Sequence, residues 1–293
     1  MKKILITGAL GQDGIILSKV FLKNGYKVYG FITNNSKKFS KKINYTNIRK
    51  KNFTFIQYHL DTIKPDIIIH LGSHNPSFKK KFVKRDYNLN LNLSLKIFNY
   101  AKDNNVKIIF PSSSQIFLES KKRLNENSKI KVENYYTKFR IKASDYLLKL
   151  KKQFKLKATI VILFNHDSKY RNKRFLFPRL IKAIKEKKFK LIKKIFTNNI
   201  AGDFSHAEDI CNAIFLLVKK NKNPDKIILS SGKITYINDI IKYFLPNMEN
   251  IVLKIPKKNY KLKIGNNTKA LKILNWKIKK NSLDAAKEIL KSV

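Results

Sequence analysis

The stretch from Lys3 to Gly14, KILITGALGQDG, constrains this chain more than any other. A short apolar run, Lys3–Thr7, ends in three glycines spaced three apart, Gly8, Gly11 and Gly14, and a helical apolar pattern (Ile15, Leu17, Val20, Phe21) starts at once. That order dictates a strand, a tight turn and a helix whose N-terminal amides face out of the turn, the geometry that receives a dinucleotide pyrophosphate. Gly8 allows the turn, Gly11 lets backbone come close to phosphate, and Gly14 lets the helix pack on the strand. The chain has only 9 glycines, so three in one turn mark a built feature.

The alternation continues downstream. A helix over Gln12–Asn24 is closed by Gly25, and Lys27–Ile32 reads as a second strand. A weak third strand is expected within Ile43–Ile48, and Asn52 caps a helix running to Ile63, stopped by Pro65. Ile67–Leu71 is an unbroken apolar run, as a strand buried on both faces requires. A helix over Leu89–Asp103, a strand over Lys107–Phe110 and a buried strand over Ala158–Leu163 complete the regular part. The expected fold is α/β: a Rossmann-type, doubly wound parallel sheet over 1–164, with a smaller substrate-binding lobe over 165–293 interleaved with the last strands.

The formal net charge of +45 invites a nucleic-acid partner. Yet only seven of the 64 basic residues are arginine, and the lysines are spread along the whole chain. Abundant Ile, Asn, Phe and Tyr accompany them, the residue set that A/T-rich codons favour, so the charge is compositional and no specific nucleic acid is expected. No segment reaches the ~18 apolar residues of a membrane span. A first strand starting at Lys3 leaves no room for a signal peptide, and the single cysteine, Cys211, excludes an internal disulfide and a cysteine-rich metal site. A cytoplasmic protein without metal is the expectation.

Several strings resemble one family. Thr7–Gly14 with its Gln12-Asp13 pair, Pro65–Ser73, Asn90 four residues before Ser94, and above all Leu163-Phe-Asn-His-Asp-Ser168 are similar to segments of the extended short-chain dehydrogenases/reductases, specifically the GDP-mannose 4,6-dehydratases. Gly202–Ala207 resembles an Arg-Asp-Trp-Gly-His-Ala segment, and Gly265–Trp276 a closing Lys-Ala…Leu-Gly-Trp signature. His206 and Trp276 are read as structural. The resemblance implies NADP as cofactor, with NAD as the alternative, a GDP-linked sugar as substrate, and a homodimer or homotetramer. It assigns Gly8, Gly11, Gln12, Asp13, Gly14, Leu71, Tyr136 and Arg140 to the dinucleotide, and Ser114, Asn165 and Arg179 to the sugar nucleotide. Lys37 and Lys38 are candidates for a 2′-phosphate.

Catalysis in this family needs a tyrosine base with a lysine one helical turn later. Counting ten residues from Leu124-Asn-Glu126 gives Tyr136, but the residue four on is Arg140. Arginine keeps the charge and the donors on a bulkier, planar head. Phe110–Phe117 resembles the string Phe-Ala-Ser-Thr-Ser-Glu-Leu-Tyr, which puts Ser113 on the sugar hydroxyl and Gln115 where dehydratases carry the glutamate that removes the C5 proton. An amide cannot accept that proton. An epimerase, a 4-ketoreductase or a catalytically degenerate binding subunit therefore stands beside the dehydratase.

Overall fold

A computed structural model describes residues 1–33, 40–49, 52–77, 80–221, 223–247 and 262–293. Its strands are β1 (Lys3–Thr7), β2 (Lys27–Ile32), β3 (Asn44–Asn47), β4 (Ile67–His70), β5 (Lys107–Ser113), β6 (Ala158–Leu163), β7 (Asn165–Asp167), β8 (Ala201–His206), β9 (Lys226–Leu229) and β10 (Ile234–Tyr236). The α-helices are α1 (Gln12–Lys23), α2 (Phe53–Ile63), α3 (Lys84–Asp103), α4 (Tyr135–Phe154), α5 (Leu176–Lys185), α6 (Phe189–Thr197), α7 (Ala207–Lys219), α8 (Ile237–Phe244), α9 (Thr268–Leu274) and α10 (Ser282–Ser292). Seven strands form one sheet in the order β3-β2-β1-β4-β5-β6-β9. Every neighbouring pair in it is parallel.

The apolar runs explain the layers. Ile4 and Ile6 of β1 point into one core with Leu17 and Phe21 of α1 and Ile210 and Ile214 of α7. Leu5 points into the opposite core, with Phe98 of α3 and Phe139 and Leu147 of α4. Successive side chains of one strand thus feed two faces, which is why these strands need no polar residue. A third core unites α5, α6, α8 and α10. It lies by a small sheet, β10-β8-β7, whose β8 is antiparallel to β10 and parallel to β7. Between β8 and β10 the chain returns to the main sheet as β9, so the segment after Leu163 contributes to both sheets.

Two carboxylates, the buried Asp203 and the half-buried Glu126, tie the late segments to this frame. Asp203 accepts from the Ser231 amide and hydroxyl and from the amides of Gly232 and Gly265. Glu126 accepts from the Ile228 amide. Burial pushes the Asp203 carboxyl up, against the pull of those four donors. His206 takes the Glu208 amide at the start of α7 and meets Glu288, while Trp276 is packed in the first core.

Most expected boundaries agree to within a residue. Asn52 caps α2 by accepting from the Phe55 amide at 3.0 Å. Two elements run further than their patterns suggest. α3 starts at Lys84 and not Leu89, because Asp86 in its first turn accepts from the Val83 amide at 3.3 Å. β5 continues through Pro111 to Ser113. β4 stops pairing with β5 at Ile109, so the donor that Pro111 lacks is not needed by that neighbour. Among the described residues no helix is long and apolar enough to cross a membrane.

Candidate active site

The sheet order reverses at β1. The chain runs outward to β2 and β3, then returns to β1's other side as β4, and the loops after β1 and β4 open a crevice there. Gly8 has φ +69°, a left-handed conformation suited to glycine. A Cβ on Gly14 would lie 2.5 Å from the Gly8 carbonyl oxygen, so this glycine lets the helix start against the turn itself. Gly11 caps α1 with no side chain closing the helix end. A Cβ there would meet only the Gly8 oxygen, at 3.2 Å, leaving its outer face open. An uncapped helix N-terminus behind an open glycine face fits a pyrophosphate.

A buried chain of hydrogen bonds supports this crevice. The Gly72 amide donates to Thr7 Oγ1 (2.7 Å), Thr7 Oγ1 meets His70 Nδ1 (2.8 Å), His70 Nε2 meets Ser94 Oγ (3.0 Å), and Ser94 donates to the Asn90 carbonyl (2.7 Å). Ser94 spends its proton on Asn90, so His70 must donate from Nε2 and accept at Nδ1. Burial, with the Arg140 charge second, drives the His70 pKa down to about 3. The Asn90 side chain accepts from the His74 amide and donates to the His74 carbonyl, holding the loop after β4.

Across the crevice, the Gln12-Asp13 pair and the string after β6 meet. Gln12 donates to Asp13 Oδ1 and to the His166 carbonyl, and accepts from Ser168 Oγ. His166 Nε2 lies 3.0 and 3.1 Å from the two Asp13 oxygens, and its Nδ1 lies 2.7 Å from the Phe164 carbonyl. Each ring nitrogen faces only acceptors, so the ring carries both protons. Burial opposes that charge, but Asp13 overcomes it and raises the His166 pKa. Partial removal from water opposes ionisation of the half-buried Asp13, yet His166 draws its pKa down to about 2.

Above these two walls lies a cavity of about 350 Å³. Ser113, Ser114 and Gln115 at the end of β5, Tyr136 and Arg140 on α4, and Leu71, Asp13 and Asn165 all line it. Asn134 caps α4 by accepting from the Thr137 amide at 3.0 Å. The helix thereby presents Tyr136 and Arg140 one turn apart. Arg140 is buried; it donates to the Pro111 carbonyl (2.6 Å), Ser73 Oγ (2.9 Å) and Asn75 Oδ1 (3.0 Å). Its guanidinium carbon sits 5.2 Å from the Tyr136 ring centre. A Pro111 carbonyl beyond the reach of β4's pairing is thus bound by this arginine.

Arg179 is not brought into the cavity. It lines a separate hollow of about 290 Å³ with Lys173, Arg174 and Lys182. Arg171 and Phe175 line the main cavity, and Arg174 lines the second hollow. Arg171 and Arg174 stand 3.8 and 5.3 Å from the Phe175 ring centre, so a basic and aromatic ridge lies between the two spaces. Glu119 does not line the main cavity, and Asp13 is the one carboxylate among the described residues that do. Lys37 and Lys38 lie outside the described residues. The sequence patterns marked Ser73 only as the end of the Pro65–Ser73 string and did not single out Asn75, Arg171 or Phe175; the fold brings these loop residues to the site. Among the described residues, no group of three His, Cys, Asp or Glu is placed to hold a metal.

A parallel sheet with a glycine turn at its switch point, and a Tyr-x-x-x-Arg pair over the cavity beside it, defines a dinucleotide-binding α/β protein of the short-chain dehydrogenase/reductase type. The chain belongs to the NAD dependent epimerase/dehydratase family, whose model matches residues 4–230. It is 26% identical to GDP-mannose 4,6 dehydratase 1 of Arabidopsis thaliana over 95% of this chain and 86% of the plant protein. It is 22% identical to the Homo sapiens GDP-mannose 4,6 dehydratase over 85% of this chain and 73% of the human protein. The fold is that of dTDP-glucose 4,6-dehydratase from Bacillus anthracis, solved in complex with NAD, with a TM-score of 0.83, 14% identity, and coverage of 100% and 96% of the two chains. It is shared with UDP-glucuronic acid 4-epimerase from Bacillus cereus, with a TM-score of 0.77, 19% identity, and coverage of 99% and 98%.

Proposed function

We propose that this chain binds a GDP-linked hexose beside NADP, or NAD in its place, and oxidises the sugar at C4 as the first step of a 4,6-dehydration. The observation that carries this reading is the convergence of Ser113, Tyr136, Arg140 and Asn165 on one cavity at the sheet's switch point. The choice of sugar nucleotide is supported by the sequence relatives, which are named for GDP-mannose. A nicotinamide dinucleotide supplies hydride acceptance and return when bound. Tyr136 takes the proton of the C4 hydroxyl, which Ser113 holds by a hydrogen bond. The Arg140 guanidinium stands directly beside that ring. Asn165, facing the cavity just past β6, holds the sugar nucleotide, with Ser114 beside it. The ridge of Arg171, Phe175 and Arg174 leads toward Arg179 and suits a nucleoside diphosphate.

One observation favours a second reading. Gln115 stands where elimination needs a base, and Asp13, the one carboxylate among the described residues lining the cavity, is paired with His166. Hydride chemistry without that base is the work of an epimerase or a 4-ketoreductase, and loss of turnover would leave a binding subunit. Incubation with a panel of nucleotide sugars and either dinucleotide, followed by chromatographic separation and mass spectrometry, separates these. A product lighter by one water supports dehydration, and an isomeric or reduced product supports the second reading. No binding of any nucleotide sugar overturns both.

A further inference from the structure

The first turn of α1 holds an electrostatic conflict. The helix N-terminus is open to an anion at Gly11, yet Asp13, two residues on, places a carboxylate there. Its charge would repel a pyrophosphate at the point where the helix dipole should attract it. The carboxylate, half-buried at the edge of the cavity, is turned onto His166. Its oxygens take the His166 Nε2 proton and the Gln12 amide. The partner ring is 6% exposed and anchored at its other nitrogen by the Phe164 carbonyl.

We propose that the Asp13–His166 ion pair is the counter-charge that opens the α1 N-terminus to a dinucleotide pyrophosphate, with His166 a positioning residue that also registers the Asn165 strand against the glycine turn. Both ends of the pair serve one geometry. Gln12 bridges the Asp13 carboxylate, the His166 carbonyl and Ser168 Oγ, so α1 and the strand β7 are joined by side chains and backbone together. Loss of the His166 proton leaves Asp13 unbalanced at the mouth of the helix and weakens the join. Dinucleotide affinity therefore falls as pH rises through the His166 titration, which Asp13 displaces upward.

Other charges around the pair do not replace it. Arg171, from the loop after β7, faces both partners but lies against Asp167. His206 of β8 is occupied by the Glu208 amide and by Glu288 of α10. Cys211 of α7 sits behind Asp13 with its thiol pushed well up by burial, so it stays neutral in the window concerned.

This inference rests on reading the cavity as a dinucleotide site, and titration of the whole chain with NADPH and NADH from pH 6 to 9, followed by fluorescence, distinguishes the two. The wild type should lose about tenfold in affinity across the window, within the usual range for coupled sites. His166→Gln should bind weakly at every pH, Asp13→Asn should bind independently of pH, and the double variant should recover the affinity that His166→Gln loses. A merely structural histidine would not be rescued by removing the charge on its partner. Should His166→Gln not fold, the near-isosteric Asp13→Asn alone decides, since it must abolish the pH dependence. Wild-type binding that is flat with pH overturns the counter-charge while leaving the dinucleotide site standing. No binding of either dinucleotide at any pH overturns both.

Discussion

The two sides of the cleft are finished differently. On the dinucleotide side the polar groups answer one another inside the protein. Gly72, Thr7, His70, Ser94 and Asn90 form one hydrogen-bonded chain, and Gln12, Asp13, His166 and Ser168 form another. On the side proposed for the sugar Ser112 Oγ is buried with no hydrogen-bond partner among the described residues and Gln115 is exposed, and Arg140 Nε, where the two sides meet, is unanswered too. Closed networks rigidify the wall that carries a ligand common to the whole family. Unanswered buried groups mark the wall where a variable ligand and the chemistry must supply the partners.

Three substitutions test that contrast, from the largest effect down. Tyr136→Phe removes one oxygen from the sugar side and keeps the ring beside Arg140. Cofactor reduction by substrate should fall by about 10⁴-fold, the upper end of what a general base contributes, with dinucleotide affinity unchanged. Undiminished turnover would move the chemistry elsewhere. Gln115→Glu restores a base and should raise formation of the dehydrated product by about 10²-fold. If hydride transfer is measurable and the product profile stays the same, the departure at Gln115 does not limit the reaction. Gly11→Val belongs to the other wall. Its Cβ would press on a single backbone atom of the folded turn, the Gly8 oxygen at 3.2 Å, and occupies the face a phosphate must approach. Dinucleotide affinity should drop roughly tenfold or more, in keeping with the loss of a close backbone contact, beside the modest stability loss that a β-branched residue at a helix cap brings. Wild-type affinity in that variant would remove the pyrophosphate from the turn.

The same contrast governs what could be read in the sequence. The glycine turn and the four Ile/Leu-rich strands were legible because their constraints are local: a φ of +69° at Gly8, and strands buried on both faces. Ser113, Gln115, Tyr136 and Asn165 were legible from their strings, and the fold brings them to one cavity. Arg140 was visible only as a departure from lysine. That its guanidinium binds the Pro111 carbonyl depends on where β4 ends, and no spacing along the chain encodes this. The Asp13–His166 pair joins residues 153 positions apart. Each half lay within a recognisable string, but nothing in either string says that they touch. Arg179 shows the converse: a basic residue in the expected stretch opens on a different hollow, because the face of α5 that carries it lies by Lys173, Arg174 and Lys182.

The smallest effect probes the floor beneath the dinucleotide side. Two buried histidines flank the cleft in opposite states: His166 is held charged by Asp13, and His70 is held neutral by burial and by Arg140. An unfolded chain gives both the ordinary value near 6.5. For His70 the folded value is about 3. As pH falls from about 6.5, the unfolded state therefore takes up a proton that the native state refuses, and stability drops. His166 is raised, so its contribution is complete below about 6.5 and is lost only on the alkaline side. Of these two, only His70 gives an acid slope between pH 6.5 and 5, and it should cost roughly 1.5 kcal/mol over that interval. His70→Gln cannot take up a proton. It should be the less stable protein at pH 6.5, having lost the pin between Thr7 and Ser94, yet lose less further stability on acidification. Urea unfolding of both proteins at the two pH values measures this, and a wild-type-to-variant gap that stays constant would mean that His70 is protonated in the native fold. The floor would then carry a charge beneath the crevice, and the contrast between a closed wall and an open one would no longer hold.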